Sequence, residues 1–126
     1  MSLSTYPVRT SNPELVAYVV RLQGNTTSDP TLAEPESSGG ITAARSTTGV
    51  YTLTWTDDPG SYVGAVASLE DTTPANVHDH QVTFDAYASK VLTLTLTDQN
   101  GGTPQLVDAA TTMYLNLVVF FKRTSL

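Results

Sequence analysis

The cluster best suited to metal binding is His78-Asp79-His80, in which two histidines flank an aspartate. Side chains two residues apart on a strand point to the same face, so the two imidazoles could share a metal ion. A third ligand could come from Asp71, Asp85 or a symmetry-related copy. The cluster follows Pro74, however, and a loop gives its residues no fixed common face. We therefore expect an exposed polar loop here and no metal site.

Catalytic residues are not expected elsewhere either. The chain has no cysteine, and no serine lies in the G-x-S-x-G pattern of a nucleophile elbow. The paired acids Asp57-Asp58 and Glu70-Asp71 stand beside turn residues, and adjacent side chains on an extended chain point apart. Gly39-Gly40 and Gly101-Gly102 are not followed by the lysine and hydroxyl residue of a phosphate-binding loop. We expect no enzyme activity and no cofactor.

The composition predicts the fold class. The chain has 126 residues, enough for one domain, and it has no cysteine with which to form a disulfide. Only 14% of the residues are charged, whereas 21 are threonine, which is one residue in six. Threonine is β-branched and favours strands over helix interiors. The sequence therefore predicts an all-β domain with polar and mostly uncharged faces.

The charge distribution argues against several partners. The formal net charge is −6, and there is no lysine or arginine between Arg45 and Lys90. Such a chain would repel nucleic acid and has no basic cluster for an anionic membrane surface. The longest strictly apolar run, Leu117 to Phe121, is far shorter than a membrane span. The first residues lack the pattern of a secretory signal, so we expect synthesis in a cytoplasm.

Period-two alternation and turn residues define the expected architecture. In Val50 to Thr56, Tyr51, Leu53 and Trp55 share one face and threonines share the other, and Val91 to Thr97 repeats this pattern. The spacing of such segments predicts seven or eight antiparallel strands in a single jelly-roll β-sandwich. This domain is expected to cover residues 15–126. Residues 1–14 show no period and are expected to form an extended N-terminal arm.

The first and last predicted strands differ from the others because both of their faces are largely apolar. They are Leu15 to Leu22 and Thr112 to Phe121. A sandwich strand in a monomer is expected to show one polar face to water. A second subunit is the simplest cover for the outer faces. The alternative is a covering segment of the same chain, either residues 23–40 or the N-terminal arm.

Two stretches of the sequence resemble a known family. Gly40 to Trp55 (GITAARSTTGVYTLTW) resembles a phrase of tailed-phage virion proteins, in which a glycine-led strand with an arginine precedes T-G-V-Y-T. Met113 to Phe120 (MYLNLVVF) is similar to the closing strand of the same proteins. These proteins are small jelly rolls, related in architecture to TNF heads, that serve as trimeric capsid decoration knobs or as fibre heads. The resemblance brings no catalytic residues.

The resemblance implies a homotrimeric capsid decoration, or cement, protein on the exterior of a virion. Its partner would be the major capsid protein, and binding would stabilise the shell. For the subunit interface we predict five residues of the first and last strands: Tyr18, Val20, Tyr114, Val118 and Phe120. For capsid contact we predict four residues of the arm: Leu3, Tyr6, Val8 and Arg9. The alternative is a receptor-binding head domain of a tail fibre or tailspike.

Overall fold

The protein is a β-sandwich. The computed structural model describes residues 13–33, 37–73, 80–99 and 103–124, and in these ranges it contains strands and no helix. The strands are β1 (Pro13–Gln23), β2 (Thr31–Leu32), β3 (Ile41–Thr47), β4 (Val50–Trp55), β5 (Ser61–Asp71), β6 (His80–Ala88), β7 (Val91–Asp98), β8 (Gln105–Leu106) and β9 (Met113–Thr124). The all-β prediction is confirmed. The described strands outnumber the predicted seven or eight because β2 and β8 have two residues each.

The strands form two antiparallel sheets. Sheet A has the order β2-β1-β9-β5, and sheet B has the order β3-β4-β7-β6 with β8 also paired to β7. The first and last long strands are therefore neighbours, with Pro13 opposite Thr124 and Gln23 opposite Tyr114. No helix that could cross a membrane occurs in the part of the chain that the structure describes.

The core lies between the two sheets and follows the predicted alternation. Tyr51, Leu53 and Trp55 are 1%, 0% and 2% exposed, and the leucines of β7 are fully buried. Trp55 packs edge-to-face on Phe121 and on Tyr87, so its predicted place in the core is confirmed. The threonines of β4 and β7 lie on the opposite, outer face of sheet B, which is consequently rich in hydroxyl groups.

The T-G-V-Y segment holds the β3–β4 turn against the chain that precedes β9. Asp108 accepts hydrogen bonds from the guanidinium of Arg45 through both carboxylate oxygens, at 2.9 and 3.0 Å, and from the backbone N–H of Gly49 at 3.0 Å. The Tyr51 hydroxyl accepts a hydrogen bond from the N–H of Ala109. Gly49 has a φ of 70°, and a Cβ there would lie 2.9 Å from three backbone atoms. The motif that carries the family resemblance therefore builds the fold.

Register irregularities occur in β5, between Tyr62 and Gly64, and in β6, between Phe84 and Ala86. The first lies directly before Gly64. At the second, strict alternation from Val82 and Phe84 would turn Ala86 inward. Because the shift inserts a residue, Ala86 is exposed and Tyr87 is turned towards the core instead.

The two sides of the sandwich differ. On the β2/β3 side, Ser38 donates its N–H to the carbonyl of Val19, and the Ser37 hydroxyl accepts from the N–H of Arg21. Residues 37 and 38 thereby cover the free edge of β1. On the opposite side, β5 and β6 are the outermost strands of their sheets. Residues 23–40 were the expected alternative cover for the outer face of the first strand. The described part of this segment instead hydrogen-bonds to the edge of sheet A.

Candidate interaction surface

The sheet A outer face is defined here as the solvent-facing side of β1, β9 and β5. The register places residues of the three strands side by side, so that Val19, Val118 and Val66 form one row across the sheet. The next row contains Ala17, Phe120 and Gly64. These apolar rows occupy the centre of the face, whereas the equivalent face of sheet B carries threonines.

This face is apolar and accessible in a single chain. Leu15, Val19 and Val66 are 60%, 48% and 58% exposed, and Val63 beside them in β5 is 50% exposed. Among the described residues, the remaining large hydrophobic side chain with comparable exposure is Leu106 on β8. A contiguous exposed apolar patch on a soluble protein indicates an interaction site more often than a scattered exposed residue does.

A shallow depression crosses the middle of the sheet A outer face. Its volume is about 270 Å³, and it lies between Val19 of β1, Val118 of β9 and Val66 of β5. Arg21 and Asn116 line one end of it. The depression is therefore suited to receive an apolar side chain of a partner, with polar side chains at its edge.

A polar network closes one end of the face. The guanidinium of Arg21 donates to the Oδ1 of Asn116 at 2.7 Å and to the Oε1 of Glu70 at 2.9 Å, which links all three strands. The same guanidinium lies 4.1 Å from the ring centroid of Tyr114. Hydrogen bonds from Arg21 and then from Asn116 lower the pKa of Glu70 below its ordinary value. The carboxylate therefore stays charged and keeps the network intact at neutral pH.

Neither a positive φ nor steric crowding within the chain requires glycine at position 64. The φ of Gly64 lies outside the positive range that favours glycine, and a Cβ built on it would meet no atom within 4 Å. A glycine within a strand weakens that strand, and it often marks a β-bulge or the close approach of another backbone or a ligand. Gly64 follows the register irregularity in β5 and lies on the sheet A outer face beside Phe120. The open space around it would admit the close approach of a backbone from outside the chain.

The structure divides the predicted interface residues between two faces. Tyr114, Val118 and Phe120 lie on the sheet A outer face. Val20 is 0% exposed in the core, and Tyr18 points inward, where it packs edge-to-face on Trp55 and Phe121. Neither side chain is placed to meet a second subunit. Because both faces of β1 are apolar, hydrophobicity did not identify the outward one.

The outward residues of β1 and β5 were missed by sequence reasoning. They are Leu15, Ala17, Val19, Gly64 and Val66. A usable signal exists for β1, since Val19 shares its face with Arg21, and a charged side chain indicates the solvent side of a strand. For β5, the outward side follows from its pairing with β9, and local sequence does not reveal this long-range contact.

Some of the predicted positions lie outside the described residues. These are His78, Asp79 and the four arm residues Leu3, Tyr6, Val8 and Arg9. His80 begins β6. Within the described residues, no three metal-binding side chains come together.

We compared the chain with protein-family models, with curated proteins and with solved structures, and none of them matches it.

Proposed function

We propose that this protein is a capsid decoration protein that forms a homotrimer through the sheet A outer face and binds the exterior of a tailed-phage head. The observation that carries the proposal is the exposed apolar face on β1, β9 and β5. A face of this kind is suited to self-assembly, because contact with a second copy would cover it. The family resemblance supplies the viral setting.

The size of the face agrees with part of a subunit interface. Three strands spaced about 4.8 Å apart and about ten residues long, at roughly 3.3 Å per residue, cover on the order of 450 Å². One partner in a standard interface contributes roughly 800 Å². The face would therefore provide about half of such a contact, and residues around it would provide the rest.

The charges of the face favour a second copy of the same chain. The outward side of the described β1, β9 and β5 carries one of the twelve acidic residues, Glu70. Two basic residues, Arg21 and Lys122, lie on the same side. The net charge of −6 is therefore carried by other surfaces. Two copies that meet through this face avoid the repulsion that the rest of the molecule would cause.

We further propose that the sandwich is a shortened jelly roll. Two pairings support this proposal: the first and last strands pair in sheet A, and β4 pairs with β7 in sheet B. A folded hairpin with fewer strands than a full jelly roll would have these two pairings. Pro13 lies opposite Thr124 at one end of sheet A. In a trimer whose axis runs along the strands, all three arms would leave from this same end.

The proposed mechanism is stabilisation through binding. A ligand that binds the assembled shell and not its separated subunits shifts the equilibrium towards the shell by mass action. Three copies of a modest contact in one trimer add their affinities through a high effective concentration. The proposed capsid contacts are Leu3, Tyr6, Val8 and Arg9. No catalytic step is involved.

Cosedimentation tests the proposal. Purified protein is mixed with mature tailed-phage shells that lack decoration and, separately, with intact host cells. We expect saturable pelleting with the shells and none with the cells. Pelleting with the cells alone would refute the capsid function and favour a receptor-binding head. The variant Arg9→Ser should weaken shell binding and leave the mass of the trimer unchanged.

A further inference from the structure

The sandwich is open on the side formed by β5 and β6. Within the described ranges, no strand pairs with the outer edge of either, and the two strands are 11 and 9 residues long. About half of the backbone N–H and C=O groups of an edge strand point away from its sheet. The open side therefore presents two rows of backbone donors and acceptors on which a further strand could pair.

These edges carry only part of the usual protection. Soluble proteins commonly protect an edge with lysine, with proline, with a β-bulge, with an inward-pointing charge or by keeping the strand short. Neither β5 (SYVGAVASLED) nor β6 (HQVTFDAYA) contains lysine, arginine or proline. Each strand has one register irregularity, and beyond these irregularities 65–71 of β5 and 80–84 of β6 pair regularly with their neighbours. A regular edge of seven residues remains on β5.

A groove with apolar and polar walls lies between the two edges. Its volume is about 490 Å³, and its apolar walls include Ala65, Ala67 and Leu69 of β5 and Val82 and Phe84 of β6. His80 and Gln81 of β6 supply polar lining. Ala67 pairs with the buried Leu117 and shares its inward face, yet it remains exposed. The small side chains of β5 therefore leave space between the sheets, and large apolar side chains of an added strand would fill it.

The charge of this side selects a basic partner. From residue 46 to residue 89 the chain has no lysine or arginine, and Asp71 and Asp85 lie in the two strands that border the open side. The arm of this chain does not match the groove. Its large apolar residues, Leu3, Tyr6 and Val8, do not keep a period of two, and it contains Pro7. A segment of another protein is the better match.

We propose that the open side binds an extended, basic segment of a second protein by strand addition to β5. Alternate apolar side chains of the segment would enter the groove, and lysines or arginines between them would face the acidic surroundings. In the capsid function proposed above, the segment would belong to the shell protein. The binding itself requires neither a shell nor a trimer, so its test is independent of that function.

The test uses calorimetric titration of the full chain with a blocked octapeptide that alternates lysine with valine or leucine. We expect saturable binding of one peptide per chain, at least tenfold weaker when glutamate replaces lysine. Two N-methylated versions give the decisive comparison, because only every second amide of an added strand faces β5. Methylation of one set should weaken binding at least tenfold, and methylation of the other set should leave it unchanged.

Protein variants locate the binding. Ala67→Phe fills the groove and should weaken binding at least tenfold, whereas Thr83→Phe, on the outer face of sheet B, should leave it unchanged. If Ala67→Phe fails to fold, the methylated peptides still decide the question on the unmodified protein. The proposal is overturned if the basic peptide does not bind or if both methylated sets bind alike. It is also overturned if a peptide of residues 1–12 binds more tightly than the basic one.

Discussion

Gly64→Val should change chain stability and subunit association in opposite directions. A Cβ at Gly64 meets no atom within 4 Å, and the backbone there is not in the positive-φ region. Glycine in a strand costs about 0.5–1 kcal/mol relative to alanine, and valine favours strands further. The free energy of unfolding of a single chain should therefore rise by about 0.5–1 kcal/mol, which raises its Tm by about 2–4 °C.

The same substitution should weaken the trimer. If a neighbouring copy approaches Gly64 closely, each added side chain overpacks the contact and costs about 1–3 kcal/mol. Three such sites amount to roughly 3–9 kcal/mol for the assembly. Because about 1.4 kcal/mol corresponds to a factor of ten, the association constant should fall by at least about 100-fold.

Sedimentation equilibrium over a range of concentrations measures the association constant of the trimer. Denaturant unfolding, at a protein concentration low enough for the trimer to dissociate, measures the free energy of unfolding of the single chain. Ala86→Val is the matched control, because Ala86 also follows a register irregularity on an edge strand but lies on the outer face of sheet B. The control should leave association unchanged. The reasoning is refuted if Gly64→Val destabilises the chain, if it leaves association unchanged, or if the control weakens association equally.

Three further predictions follow from individual contacts. Val66→Glu should dissociate the trimer into folded chains of 13.4 kDa, whereas Thr83→Glu on sheet B should not; light scattering with circular dichroism tests both. Gly49→Ala should lower the free energy of unfolding by at least about 2 kcal/mol, since φ is positive and backbone atoms crowd the site, whereas Gly39→Ala should cost little. Hydrogen bonds from Arg45 lower the pKa of Asp108 below its ordinary value of 3.8. The charged Asp108 therefore contributes fully to the free energy of unfolding above pH 3.8, and this contribution is lost as the pH falls through the lower pKa of the folded chain. Thermal unfolding should therefore show a steep loss of Tm in acid, and Asp108→Asn should flatten it.

The sandwich was predictable because its interior strands have one apolar face. In β4 and β7, threonines alternate with large apolar residues, so the inward set could be assigned from the sequence alone. The T-G-V-Y-T phrase contains Gly49, which has a positive φ that few residues other than glycine favour. The phrase alone did not show that the backbone of Leu96 and Val107 also crowds this position.

The outward side of β1 was not predictable from hydrophobicity. Tyr18 and Val20 are as apolar as Leu15 and Val19 on the opposite side, so the charge of Arg21 is the sequence signal that separates the two sets. In the structure, burial in the core separates them. The residues that β5 adds to the sheet A outer face are placed there by its pairing with β9, a strand far away in the sequence. Local patterns do not specify such a contact, so the full extent of the sheet A outer face required the structure.

The most direct test of the account is the mass of the unmodified protein in solution. The chain has a mass of 13.4 kDa, and sedimentation equilibrium at micromolar concentration should show one species of about 40 kDa, as a trimer requires. A monomer at every concentration would leave the sheet A outer face without its proposed partner and would contradict the central claim.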